Sequence, residues 1–393
     1  MIVGVPKELY PGERRVALVP AVIPTFTKAG CEVLVEAGAG VADGFLDAAY
    51  VEKGARIIAD RAELFRSAGM IVQVLCHGAN DMNGAADLAL LRPGQILIGF
   101  MRPLGSAETL KEIAATGAIA FSVEMMPRIT RSQSMDALSA MATVCGYKAV
   151  IIASDLLPRF FPMLTTAAGT ITPARVLVLG AGVAGLQAIA TSRRLGAVVS
   201  GYDVRPAAKE QIQSVGGRVV ELPLEVSNAE DARGYAQAQD ESFYRRQREV
   251  LGRVVSESDV VISTAVVPGK RAPVLITAEM VKTMAPGSVI VDLAAERGGN
   301  CELSHPSQTV IEHGVTIVGA FNLASTVPYH ASQMYARNLA AYVPHLLKDG
   351  ALHIDPEDQI AGDTLVTRDG QIVHKLVLAA MAPAAEPARS ANP

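Results

Sequence analysis

The chain has 393 residues, half of them hydrophobic and 19% charged, with a formal net charge of −4. That length divides by default into two domains with sizeable cores, and the weak charge excludes the basic footprint of a nucleic-acid binder. Four scattered cysteines, Cys31, Cys76, Cys145 and Cys301, show no C-x-x-C spacing, which excludes a zinc site and a disulfide framework and leaves reduced thiols.

Met1-Ile-Val-Gly-Val-Pro-Lys-Glu8 starts as a strand and not as a signal peptide. No run reads as a membrane helix, which needs ~20 mostly apolar residues, so a soluble cytoplasmic chain is expected. The first third alternates strands at Ile2–Val5, Glu32–Glu36, Met70–Val74, Gln95–Gly99 and Ala118–Phe121 with helices near Ala21–Ala29, Ala62–Ser67 and Ala107–Thr116. That alternation predicts an α/β domain with a mainly parallel sheet. Lys7–Arg15 follows the first strand, where a parallel sheet forms a ligand crevice. Its Arg14 and Arg15 either clamp an anion or lie on a solvated loop.

Glu124–Asp136 breaks the pattern with a polar loop carrying Arg128, Arg131, Gln133, Ser134 and Asp136. A helical pattern over Leu138–Leu157 then leads to Ala174-Arg-Val-Leu-Val-Leu-Gly-Ala-Gly-Val-Ala-Gly-Leu186 as strand, glycine turn and helix. Gly180, Gly182 and Gly185 have G-x-G-x-x-G spacing. The first allows the tight turn, the second lets a pyrophosphate approach the backbone, and the third lets helix and strand pack closely. The helix opening at Val183 turns its free N–H groups and positive dipole end toward the phosphates. A second strand, Ala197–Tyr202, ends at Asp203, 18 residues past Gly185 and close to the expected place for an acid on a ribose 2′-hydroxyl. Asp203 favours NAD(H) over NADP(H), whereas Arg205 is placed to accept a 2′-phosphate.

A helix (Pro206–Val215) and a strand (Arg218–Glu221) precede a stretch without apolar periodicity, 223–240, which contains Gly234 and Tyr235 and is either a lid or disordered. Next come a helix (Glu241–Ser256), a strand (Val260–Thr264), the segment from Ala265 through Pro268, a helix (Ala278–Met284) and a strand (Val289–Leu293). Ala294–Asn300 with its Gly298-Gly299 turn, and a last strand (Val315–Val318) leading to Asn322, complete this half. These βα loops form the other side of a dinucleotide site, Asn322 at its nicotinamide end. A helix pattern over Tyr329–Leu347 returns the chain to the first domain. The expected divisions are 1–137 with about 329–378, 138–328, and a frayed Ala/Pro tail over 379–393.

With these segments placed, the chain resembles the soluble NAD(H)-binding components of proton-translocating NAD(P) transhydrogenases, domain I of the alpha subunit. The likeness extends over roughly Met1 to His374. It rests on Pro-Lys-Glu…Pro-Gly-Glu-Arg-Arg-Val-Ala (6–17), Met-Pro-Arg-Ile-Thr-Arg-Ser-Gln-Ser-Met-Asp (126–136), Phe-Pro-Met-Leu-Thr-Thr-Ala-Ala-Gly-Thr (161–170), the glycine motif, Pro-Gly-Lys-Arg-Ala-Pro-Val-Leu-Ile-Thr (268–277) and Glu-Arg-Gly-Gly-Asn-Cys (296–301). The 126–136 loop is the most specific of these. The resemblance implies two Rossmann-like α/β domains with mainly parallel sheets, flanking a dinucleotide-binding cleft. It implies catalytic roles beside the nicotinamide for Gln133, Arg128 and Asp136, with the glutamine orienting the ring across a subunit interface, and a mobile loop around Tyr235. The nucleotide contacts are then Gly180, Gly182, Val183, Gly185, Asp203, Val204, Arg205, Gly234, Tyr235, Ala265, Pro268, Gly298 and Asn322. It further implies a homodimer, NADP(H) on a partner component, and membrane-spanning partner subunits that move the proton and hold this chain at the cytoplasmic membrane.

Alanine dehydrogenase has the same fold and is the rival. That enzyme needs a lysine and a histidine beside its keto-acid substrate. Gln73 stands where the lysine falls and Arg102 where the histidine falls; Arg15 matches its carboxylate-binding arginine, and His77 is offset. A lysine near Gln73 is also expected in transhydrogenases. Alanine oxidation needs an acid/base group, whereas hydride transfer between two nicotinamides needs oriented rings and little else. An alanine- or opine-type dehydrogenase and a non-catalytic NAD(H) sensor remain the alternatives.

Overall fold

The computed structural model describes residues 1–105, 107–221, 241–267 and 269–381. They form two compact units, Met1–Ala137 together with the residues from Pro328 onward, and Leu138–Val327.

The first unit contains six parallel strands, β1 (Ile2–Val5), β2 (Glu32–Glu36), β3 (Arg56–Ile58), β4 (Met70–Leu75), β5 (Ile96–Phe100) and β6 (Ile119–Ser122). The late strands β18 (Leu365–Arg368) and β19 (Gln371–Ile372) extend it antiparallel, giving the order β19-β18-β6-β5-β4-β1-β2-β3. A small separate ladder pairs β16 (Leu347–Lys348) with β17 (Ala351–Leu352). Ile96–Phe100 is buried throughout and Met70–Leu75 nearly so, as expected of parallel strands covered on both faces. Strand order reverses at β1, so the loops after β1 and β4 meet at the carboxyl edge, the place where open α/β sheets form crevices.

In the second unit β9 (Arg175–Leu179) is flanked by β10 (Val198–Tyr202) and β12 (Val260–Ser263). Adding β11 (Arg218–Val219), β13 (Val289–Asp292), β14 (Thr309–Glu312) and β15 (Val315–Gly319) gives the order β11-β10-β9-β12-β13-β15-β14, antiparallel only at β14. The alternation of β9 divides its side chains between two cores. Val176 and Val178 pack with Ala149, Val150 and Ala153 of the helix Ala137–Leu156, and Leu177 and Leu179 pack with Leu251 and Val255 of the helix Glu241–Ser256. A hairpin of β7 (Leu164–Thr166) and β8 (Gly169–Ile171) stands outside the sheet.

Both sheets are mainly parallel and α/β, as expected. One expectation needs correction: Ala137–Leu156, with 20 residues and mean hydropathy 1.5, is by length and composition able to cross a bilayer. Packing explains part of that composition, because Ala149, Val150 and Ala153 are fully buried in the sheet's core, while 39% of the apolar stretch as a whole is buried. The tail expected from Ala379 also starts later, since Lys375–Met381 is a helix with Val377 buried; the rest of that tail lies outside the described residues.

Candidate functional site

The second unit's candidate site lies on the switch between β9 and β12. Gly180 has φ +94, and a Cβ there would lie 2.7 Å from Thr264 Oγ1, so the turn requires glycine. Thr264 Oγ1 donates to Gly180 O (3.0 Å), and Gly180 N to Tyr202 O (2.8 Å), tying the turn to both neighbouring strands. A Cβ on Gly185 would lie 1.8 Å from Gly180 O, so the helix Val183–Arg194 can approach the strand only without one. Gly182 differs: it is extended (φ −74, ψ −170), and a Cβ there meets nothing within 4 Å. No side chain caps this helix, leaving its first N–H groups for a ligand, and Val183 beside them is 36% exposed. Open space, uncapped N–H groups and a dipole end are what a pyrophosphate requires.

Asp203 follows β10. Its Oδ2 accepts from Ala181 N in the glycine turn (2.7 Å), and its Oδ1 from Arg205 N (2.8 Å). Arg205 also pairs with both oxygens through Nε and Nη2 at 3.0 Å. A cavity of about 170 Å³ opens beside them, lined among others by Asp203, Val204, Arg205 and Lys209.

The loops after β12, β13 and β15 are held by a network that sequence reading missed. Asp292, fully buried, accepts from Ser263 Oγ, Ala294 N, Asn300 N, Cys301 N and Ser304 Oγ. Asn300 clasps Ala265, accepting from its N (2.9 Å) and donating to its O (2.8 Å). A charged residue ending an otherwise apolar strand is the only local signal for Asp292; the partners of Asn300 come from distant segments. Gly298 has φ +99 and Gly299 φ +78, as a tight turn demands. Asn322 adopts φ +42 and donates its N–H to Glu296 (2.8 Å). Gly234, Tyr235, Pro268 and the expected lid at 223–240 lie outside the described residues.

In the first unit the 126–136 loop follows a short 3-10 turn over Val123–Met125 and forms another over Thr130–Met135. Ser132 and Met135 point inward and anchor it, with Ser132 Oγ donating to Ile129 O (3.0 Å) and reaching Pro127 O. Asn338 Nδ2 holds Ser134 O (2.8 Å). Arg128 and Gln133 are consequently exposed, and Asp136 is half-buried.

The crevice loops of this unit are filled by protein groups. Arg15 is 4% exposed and is gripped by Glu13 at 2.8 Å (Nε to Oε1) and 2.6 Å (Nη2 to Oε2). Arg14 donates to Ala42 O (3.1 Å). Arg14 is exposed on the loop while Arg15 is buried on Glu13, so the two arginines do not face outward as a pair. Gln73 is buried and donates to Asp87 (2.9 Å), Arg102 is exposed with φ +50, and His77 Nε2 meets Glu112 at 2.5 Å. Glu8 accepts from Val74 N (2.6 Å) and Leu75 N (3.0 Å); burial, reinforced by neighbouring Glu13, pushes its carboxyl up to about 8. Burial likewise raises the Cys76 thiol and the Tyr335 phenol.

Family models decide the kinship. Residues 4–145 match "Alanine dehydrogenase/PNT, N-terminal domain" and residues 149–375 match "Alanine dehydrogenase/PNT, C-terminal domain". The chain belongs to the alanine dehydrogenase/PNT family. It is 45% identical over 377 residues to the first part of NAD(P) transhydrogenase subunit alpha of Rhodospirillum rubrum, covering 95% of this chain and 98% of that protein. The crystal structure of transhydrogenase from Sinorhizobium meliloti superposes with a TM-score of 0.82 at 38% identity, covering 96% of this chain and all of that one. The alanine dehydrogenase of Bacillus subtilis is more distant, at 27% identity over 391 residues, 96% of this chain and 94% of that one. The chain is thus a homologue of transhydrogenase alpha subunits, with alanine dehydrogenase as a remote relative.

Proposed function

We propose that this chain is the NAD(H)-binding component of a proton-translocating NAD(P) transhydrogenase, passing a hydride between its own NADH and NADP⁺ held on a partner component. The observation that carries the reading is the glycine turn with open space at Gly182, an uncapped helix and Asp203 anchored to the turn, in a chain 45% identical to a transhydrogenase alpha subunit. Gly180, Gly182, Val183 and Gly185 receive the pyrophosphate, Asp203 and Val204 the adenosine ribose, and Ala265, Gly298 and Asn322 the nicotinamide half; Gly234, Tyr235 and Pro268 complete the set. Gln133, with Arg128 and Asp136, orients the dihydronicotinamide. Their exposure, enforced by the inward Ser132 and Met135, supports a role toward a ligand and not toward the core.

The chemistry fits this assignment. Hydride transfer between nicotinamides needs no proton donor, and the positions where an alanine dehydrogenase needs lysine and histidine hold an amide bonded to Asp87 and an exposed arginine. Proton movement then belongs to membrane-spanning partner subunits, which hold this chain at the cytoplasmic face. A homodimer is part of the proposal. Phe160, Met163, Leu164 and Ile171 are 37–62% exposed on and beside the β7–β8 hairpin, a patch suited to a second copy.

The test follows NADH oxidation by the purified chain in two mixtures. One contains pyruvate and ammonium, the other a cognate NADP-binding component loaded with NADP⁺. Oxidation only in the second is expected; oxidation in the first would establish the dehydrogenase instead. Gln133→Asn is expected to slow transfer ~100-fold, the cost of misplacing reacting groups by about 1 Å, with NADH affinity little altered. Unchanged transfer would remove Gln133 from its role.

A further inference from the structure

Asp203 has no acceptor site left for a ribose. A carboxylate offers about four lone-pair positions. Ala181 N and Arg205 N take two of them, at 2.7 and 2.8 Å, and the Arg205 guanidinium takes the others through Nη2 and Nε, both at 3.0 Å. The pair is well covered, with side-chain exposures of 14% for Arg205 and 7% for Asp203. The two backbone donors are fixed by the glycine turn and by the end of β10, whereas the guanidinium sits on a flexible stem beside the 170 Å³ cavity. Only the guanidinium can leave.

We infer that the Arg205 side chain is an internal placeholder for the ribose: it occupies Asp203 in the empty site, is displaced by the 2′- and 3′-hydroxyls of NADH, and thereby sets how sharply the site rejects NADPH. The inference rests on the nucleotide site proposed above and adds the group that tunes its selectivity. Displacing the guanidinium costs part of the binding free energy of NADH. Once released, its planar fork stays at the cavity, where it offsets the repulsion between Asp203 and a 2′-phosphate. Arg205 therefore weakens NADH binding and makes the site more tolerant of NADPH.

The test titrates NADH and NADPH into the full chain, following dihydronicotinamide fluorescence, with wild type, Arg205→Ala, Arg205→Lys and Gly182→Val. Arg205→Ala is expected to bind NADH about three- to tenfold tighter, the net scale of one intramolecular hydrogen bond. It is expected to bind NADPH about tenfold weaker, the scale of one charge-assisted hydrogen bond. Arg205→Lys, which keeps the charge without the fork, is expected to recover part of the NADPH affinity. Weaker or unchanged NADH binding by Arg205→Ala, with melting temperature preserved, would overturn the inference and make Arg205 a direct nucleotide contact or a bystander. Absence of NADH binding by wild type, or full binding by Gly182→Val, would overturn the site itself and this inference with it.

Discussion

At the scale of single residues the three glycines of the turn make different demands, and their substitutions separate folding from binding. Gly185 faces backbone: an alanine Cβ would lie 1.8 Å from Gly180 O, and a carbonyl in a tight turn cannot swing aside as a long side chain can. Gly185→Ala is expected to destabilise the chain by about 1–3 kcal/mol, the usual cost of overpacking, read from urea unfolding. Gly182 is extended and faces open space, so the backbone accepts a valine there. Gly182→Val is expected to stay within about 1 kcal/mol of wild type, the scale of a helix-cap change, while losing saturable NADH binding because its methyls fill the pyrophosphate's place. Both variants destabilised alike, or both binding NADH, would mean that the glycine pattern only packs helix on strand.

At the scale of elements, what the sequence disclosed depended on how local the cause was. β1 and β2 were readable to the residue because Ile2–Val5 is a short apolar run stopped by Pro6 and Glu32–Glu36 an apolar core between two glutamates, and the helix Glu241–Ser256 because its charged and apolar residues alternate at helical spacing. Arg56–Ile58 is too short to show a period, and the β7–β8 hairpin is exposed at every position, so neither carries a burial pattern. β18 escaped notice because its place beside β6 is set by pairing across more than 240 residues, as in the Thr367 contacts to Ala118 and Ala120. At the candidate site the glycine turn and Asp203 announce themselves by spacing, whereas the Asp292–Asn300 clasp and the Arg205 pair exist only in three dimensions. The carboxyl edge of β1 and β4 yields an element-level prediction. Glu8 follows β1 and caps two N–H groups of β4, and burial raises its carboxyl from 4.5 to about 8. Between those values the folded chain keeps a proton that the unfolded chain has released, so stability from this group is greatest below pH 4.5, falls as pH rises, and levels off above about 8. Glu8→Gln removes that slope. The melting temperature of wild type relative to Glu8→Gln is expected to drop between about pH 5 and 8.5; parallel curves would show that Glu8 stays ionised.

At the scale of the whole molecule, each unit buries its own sheet, and the second leaves apolar surface that its core does not use. Phe160 is 54% exposed, Met163 62% and Ile171 43%, on and beside a hairpin that adds nothing to the seven-stranded sheet. An isolated two-stranded hairpin is marginal in water, and in the homodimer proposed above a second copy of the chain would cover it with an identical, self-complementary surface through a two-fold axis. Met163→Glu with Ile171→Glu places charge on that contact while leaving the core untouched, since both side chains already face outward. Sedimentation is expected to give wild type at twice the 41.2 kDa chain mass and the double variant at 41.2 kDa, with unchanged secondary structure by circular dichroism. If Gln133 orients the ring across the subunit contact, the monomeric variant should still bind NADH and yet lose hydride transfer to the NADP-binding component. A double variant that remains dimeric would move the interface away from the hairpin. A monomeric variant with full transfer would show that each chain carries a complete site, and Gln133 would then act within its own subunit.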